Sequence, residues 1–159
     1  MKANNITRLL DSHKIHYTAF ELPPEKLGAE ETARILSVPL EIVYKTIVVT
    51  RDKPAKPVLA VIPGTNEVDL KLLALCLGEK KVHLPTQNEA EHLTGLQAGG
   101  ISPLALFNRG FQVILDRSAL NYDEIHISGG QRCLNIRLSV MALIEITKAH
   151  LGEISNPTS

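Results

Sequence analysis

Two strand signals, residues 124–128 and 134–138, are joined by a turn holding Gly129 and Gly130, and this pairing limits the possible folds more than any other string. So short a connection makes the two strands antiparallel neighbours. Elsewhere, strand signals are separated by capped helices. A chain that mixes hairpins with helical crossovers cannot be a plain doubly wound parallel sheet. The expectation is an α/β mixed fold with a mixed sheet.

The other signals follow in order. Ile6, Leu9 and Leu10 share a helical face in a predicted helix over 5–13 that Asn4 or Asn5 can cap. Residues 16–22 read as a strand, stopped by Pro23-Pro24. Residues 29–36 read as a helix with the acidic start Glu30-Glu31. A short turn through Val43 leads to a strand over 44–50, and a polar loop to a return strand over 58–62. Asp69 caps a helix over 70–77 that Gly78 ends, and its apolar surface predicts burial. A short strand over 81–84 precedes Thr86-Gln-Asn-Glu89, a capping box for a helix through Leu93. Residues 112–116 form another strand, and Ser139 caps a last helix through Lys148. The tally is six or seven strands and five helices.

The 159 residues suit one domain, expected over 1–154, with polar residues 155–159 as a disordered tail. Seventeen basic residues offset 17 acidic ones, so no global field gathers nucleic acid, and any such site is a local patch. Lys80, Lys81, Arg109 and Arg132 are the basic candidates. With no Trp and three Phe, a broad stacking platform is excluded. Cys76 and Cys133 form no CxxC pair, and burial is expected for Cys76. Six histidines lack HxxxH and HExxH spacing, so no metal site is expected. No apolar run reaches membrane-spanning length and no signal peptide is evident, which makes a cytoplasmic protein the expectation.

Three strings carry chemistry. Lys45 opens an apolar strand, where it either reaches solvent or leans into a cleft to hold a carbonyl or phosphate. Gly99-Gly-Ile-Ser-Pro103 is either a tight loop or a place where backbone N–H groups meet a ligand oxygen. Ser102 lacks a nucleophile-elbow setting and reads as a hydrogen-bond donor. Ser128-Gly-Gly-Gln-Arg132 is hairpin chemistry in which Arg132 can also pair with a phosphate. His126 alternates with Ile125 and Ile127, and solvent exposure is expected for it.

The order of these strings adds more. Tyr44-Lys-Thr-Ile-Val-Val49, Val68-Asp-Leu-Lys71, Leu77-Gly78, Lys80-Lys-Val82, Thr94-Gly95, Gly99-Gly-Ile-Ser-Pro-Leu104 and Ile127-Ser-Gly-Gly130 together resemble the YbaK/EbsC family, over nearly the whole chain. That family is related to the editing insertion domain of bacterial prolyl-tRNA synthetases. The resemblance implies a curved, barrel-like mixed sheet with surrounding helices. It implies hydrolysis of mischarged aminoacyl-tRNA in trans, foremost removal of cysteine from tRNA for proline. Such hydrolysis is substrate-assisted and needs neither metal nor cofactor. Mischarged tRNA and prolyl-tRNA synthetase are the implied partners. By motif, Lys45 matches the family's essential lysine, and Gly99, Gly100, Ile101, Ser102 and Pro103 its substrate loop. Ser128 matches a pocket serine, and Phe20 stands where the family often has a pocket tyrosine.

Two departures bear on specificity. Leu104 is followed by Ala105-Leu-Phe107 rather than glycine, and Gln131-Arg-Cys133 replaces Lys-Arg-Gly. A deacylase for alanine or serine, or a non-catalytic tRNA- or synthetase-binding module of the same fold, remain the alternatives. If the metal-free reading holds, deacylation proceeds unchanged in excess EDTA; full loss with rescue by zinc would overturn it.

Overall fold

The computed structural model describes residues 3–158. Helix α1 (Asn5–Ser12) is fixed by a reciprocal cap: Asn4 Oδ1 accepts from the Thr7 N–H while Thr7 Oγ1 accepts from the Asn4 N–H. Strand β1 (Tyr17–Glu21) follows, then α2 (Ala29–Leu36), a 3-10 turn at Leu40–Ile42, β2 (Tyr44–Arg51), β3 (Val58–Pro63) and β4 (Asn66–Val68). Helix α3 (Leu70–Leu77) runs from the Asp69 cap to Gly78, and β5 (Val82–His83) leads to α4 (Gln87–Thr94) with its Thr86/Glu89 capping box. Next come α5 (Pro103–Leu106), β6 (Gln112–Asp116), β7 (Glu124–Ser128), β8 (Leu134–Ser139), α6 (Val140–Thr147), β9 (His150–Gly152) and β10 (Ser155–Pro157).

The strands form a five-stranded sheet β5-β2-β3-β6-β9, a three-stranded sheet β1-β8-β7 and a pair β10-β4. The first is mixed, because β3 pairs antiparallel with β2 and parallel with β6. The fold is thus α/β mixed, as expected. The barrel is not there: no sheet closes on itself among the described residues. Closure needs continuous pairing around a ring, and the two larger sheets meet at one isolated bridge, Val43 to His126.

All six residues of β3 are buried, because the five-stranded sheet has a core on each face. Leu59 and Val61 join Val48, Val113 and Leu115 against Ile125, Ile127, Ile136 and Leu138 of the smaller sheet. Val58, Ala60 and Ile62 join Val49, Ile114, Leu73 and Ile154 on the other side. A near-continuous apolar run is the signature of a strand covered twice.

Four expectations change. Helix α3 is not buried: only Leu73 and Ala74 are, Leu75 is 78% exposed, and Cys76 is exposed. His126 is fully buried. It does alternate out of the apolar core, but on that face the Phe20 ring and the Asn135 side chain pack against it. Residues 155–157 are not a loose tail; they pair with β4. The short strands β4, β9 and β10 carry too few residues for a periodic signal.

Asp116 holds that C-terminal segment in place. It is buried, accepting from the Ile154 N–H (3.2 Å) and Ser155 Oγ–H (2.9 Å) through Oδ1 and from the Ser118 N–H through Oδ2. Asp116→Ala orphans the buried Ile154 N–H, a loss of about 1–3 kcal/mol. Its urea midpoint is expected to drop, and that of Asp116→Asn, which keeps one acceptor oxygen, to drop less. An unchanged midpoint for the alanine variant would show that other contacts hold the segment.

Candidate active site

A cleft of about 240 Å³ opens where the start of β2, the first turn of α2, the glycine loop and the β7–β8 turn converge. Lys45, Gly99, Ile101 and Ser128 all line it. Lys45 sits opposite Ile62 in the β2–β3 register and shares its side of β2 with Ile47 and Val49, which pack into the second core. No described residue forms an ion pair with it. Its ammonium is held below the ordinary lysine value because burial strips its hydration, and Glu67 and Glu30 offset part of that effect.

The glycine loop is clamped from two sides. Glu91 Oε2 accepts from the Ala98 N–H (2.7 Å), and Arg132 Nε donates to the Ala98 carbonyl (2.8 Å). Gly99 stands at φ +91°, and a Cβ on Gly100 would lie 2.9 Å from Gln131 Cα, so each needs to be glycine. Ser128 Oγ donates to the Gly99 carbonyl (3.4 Å) and accepts from the Gly130 N–H (3.2 Å), which ties the loop to the hairpin turn. The Gly100 N–H donates to the Gln97 carbonyl and is therefore committed within the loop. The N–H groups of Gly99 and Ile101 find no acceptor among the described residues.

Other expected site residues lie elsewhere. Ser102 is fully buried and caps α5, accepting from the Leu104 N–H (3.2 Å); it serves there as acceptor rather than donor. Pro103 takes the first position of that helix, where its missing N–H costs nothing. Gly100, Ser102 and Pro103 do not line the cleft, and neither does Phe20, whose ring lies 5.4 Å from that of His126. Arg132 lines the cleft, as the clamp described above rather than as a solvated charge.

Sequence reasoning missed Thr46 and Asn135. Thr46 lines the cleft and its hydroxyl is buried without a partner among the described residues. Asn135 lines it too, 5% exposed, as the polar residue alternating with Leu134 and Ile136. That alternation was the available signal. Tyr44 also borders the cleft, but its hydroxyl pairs with Ser118 Oγ (2.7 Å) and burial pushes the phenol up to about 12, so it is no base at neutral pH. The described residues contain no group of three His, Cys, Asp or Glu able to hold a metal.

The arrangement brings one cation together with a loop whose Gly99 and Ile101 line the same confined space, with apolar walls from Leu22, Leu27, Val43 and Leu134. It is suited to holding an ester or phosphate oxygen and stabilising negative charge there.

A family model, the aminoacyl-tRNA editing domain, matches residues 23–146. The chain is 35% identical over 153 residues, 95% of its length and 92% of the relative's, to an Enterococcus faecalis protein provisionally named Cys-tRNA(Pro)/Cys-tRNA(Cys) deacylase EbsC. Two solved structures share the fold at 23% identity. One is a hypothetical protein, APE2540, with TM-score 0.88, covering 96% of this chain and 100% of that one. The other is provisionally described as a trans-editing enzyme for prolyl tRNA synthetase, with TM-score 0.80 and coverage of 98% and 99%.

The desolvated ammonium has a consequence for stability. A lysine pKa lowered on folding is a cost at neutral pH, and the cost is relieved as pH rises through the lowered value toward the unfolded 10.5. Lys45→Met is therefore expected to show a urea midpoint at pH 7 no lower than wild type, any advantage shrinking at alkaline pH. A clearly lower midpoint at pH 7 would mean that Lys45 supports the fold.

Proposed function

The chain belongs to the aminoacyl-tRNA editing domain family, and on that footing we propose that it hydrolyses mischarged aminoacyl-tRNA in trans, with cysteine on tRNA for proline as its substrate. The observation that carries this reading is the cleft itself. It joins Lys45 to two uncommitted N–H groups, with no Ser-His-Asp or Cys-His set beside them.

An ester at that position needs a nucleophile, and the substrate brings one. The cysteine thiol gives its proton to water, which returns one to the ribose oxygen as that oxygen leaves, and the sulfur attacks the ester carbonyl. A carbon–sulfur bond forms, and the carbonyl oxygen takes up negative charge facing Lys45 and the N–H groups of Gly99 and Ile101. The charge then collapses, the bond to the ribose oxygen breaks, and that oxygen leaves with a proton as the free tRNA hydroxyl. Water opens the cyclic thioester to free cysteine. The protein contributes position and charge.

Grip on the tRNA body is weak in this account. The chain is neutral overall, and counterion release scales with the cations set against phosphates. Prolyl-tRNA synthetase is the proposed source of tRNA selectivity.

The test is single-turnover deacylation of cysteine-, alanine- and serine-charged tRNA for proline, with and without the synthetase. Cysteine is expected to be released fastest. Lys45→Ala is expected to slow release by roughly 10²–10³, the loss typical of one oxyanion donor. Equal rates for wild type and Lys45→Ala at subsaturating tRNA would refute the lysine's role, and no release from any of the three would refute the activity.

A further inference from the structure

Phe20, His126, Ser128 and Asn135 lie on one face of the three-stranded sheet, the face turned away from the core. Phe20 pairs with Asn135 across β1–β8, and Ser128 with Asn135 across β7–β8. His126 is fully buried on that face. Its Nδ1 lies 2.9 Å from Asn135 Oδ1, and its Nε2 is buried with no partner among the described residues. A buried histidine behind a cleft wall, bonded to a wall residue, is not used by the reaction described above.

The unpartnered nitrogen decides the proton's place. If Nε2 carried the hydrogen, a donor would be buried with nothing to accept from it, and orphaned buried N–H groups are rarer than unfilled acceptors. The hydrogen therefore sits on Nδ1 and is donated to Asn135 Oδ1. That leaves the Asn135 NH2, which has no acceptor among the described residues, uncommitted on a residue that lines the cleft. Charged groups near the ring are Arg137 from β8 and Glu124 from β7, and they act in opposite senses. Burial outweighs both and holds the imidazole below its usual pKa, hence neutral. The Phe20 ring packs on the imidazole, and the Arg137 guanidinium lies 5.5 Å from that ring with Nη2 donating to Thr18 Oγ1. The imidazole is thus held in place by packing.

We propose that His126 is a positioning residue: by donating to Asn135 Oδ1 it turns the Asn135 NH2 into the cleft, making that wall a hydrogen-bond donor for an oxygen of the acylated 3′ end. The wall then selects for carbonyl or hydroxyl oxygen and against the substrate's α-ammonium, which has no lone pair to offer. The inference rests on the deacylase reading for its substrate, but the orientation itself does not.

Two measurements test it. Long-range ¹H–¹⁵N spectra of the wild-type protein at pH 7 should show His126 as the neutral tautomer protonated at Nδ1. A proton on Nε2, or an imidazolium, overturns the proposal whatever the activity proves to be. Single-turnover deacylation should then slow about tenfold in His126→Leu, the loss of roughly one positioned hydrogen bond. His126→Gln, whose amide can still donate, should recover most of the rate. The double variant with Asn135→Ala should be no slower than Asn135→Ala alone, because His126 acts through that residue. Additive losses, or a His126→Gln as slow as the leucine variant, would mean that His126 serves the fold rather than the wall. Should the leucine variant not fold, the tautomer measurement decides alone. Wild-type inactivity on all three charged tRNAs would defeat the proposed function and leave that measurement standing.

Discussion

Ala98 offers one N–H and one C=O, and a charged side chain is committed to each. Glu91 takes the first from α4, and Arg132 takes the second from the β7–β8 turn. Hydrogen bonds with one ionised partner are roughly twice as strong as neutral ones, so a loop with two glycines is held to one path despite its conformational freedom. Everything proposed for the cleft depends on that path. It keeps Gly99 at a positive φ and leaves Gly99 and Ile101 as the loop donors without an acceptor among the described residues. The Gly100 N–H closes a turn onto Gln97 instead.

Much of the fold was legible because its boundaries are set by local chemistry. Asp69, Thr86 and Ser139 each accept from an N–H in the first turn of the helix they precede, and Gly78 and Gly95 take left-handed positions where helices end. Strands β6 and β7 follow from period and composition in the same way. The errors arose where burial depends on what another part of the chain covers. Periodicity placed His126 on the polar face of its strand, yet could not reveal that Phe20 of β1 and Asn135 of β8 pack against it there. It likewise marked α3 as apolar without showing that only one side has a neighbour. Strands β4 and β10 exist through pairing with each other, across some ninety residues of sequence, and neither is long enough to signal alone.

The site was legible in part for the same reason. Lys45, Gly99, Ile101 and Ser128 come together because each is placed by its own strand or turn, and their strings carry that information. Ser102 and Pro103 belong to the same string but begin a helix, so their chemistry is consumed locally. Asn135 and Thr46 looked like ordinary strand positions. Their importance lies in being polar on faces that the cleft, not solvent, reaches.

A cleft whose lining hydroxyls have no His, Asp or Glu among the lining residues to activate them changes what selectivity means. Walls and donors can hold any small acyl ester that fits, but reaction under the proposed mechanism waits on a group the substrate carries. A cysteine thiol has a pKa of about 8.5, so a useful fraction is thiolate near neutral pH, whereas serine's hydroxyl is far less acidic and alanine has no side-chain nucleophile. Discrimination by reactivity therefore operates even where the cleft binds all three alike. Such a protein needs a rigid frame more than a finely fitted pocket. The double clamp on Ala98, the committed hydroxyl of Tyr44 and the buried imidazole behind Asn135 are devices for rigidity. Lys45 is the exception: its ammonium is half-buried with no ion-pair partner among the described residues, and in the proposed mechanism an oxygen arriving with negative charge supplies one.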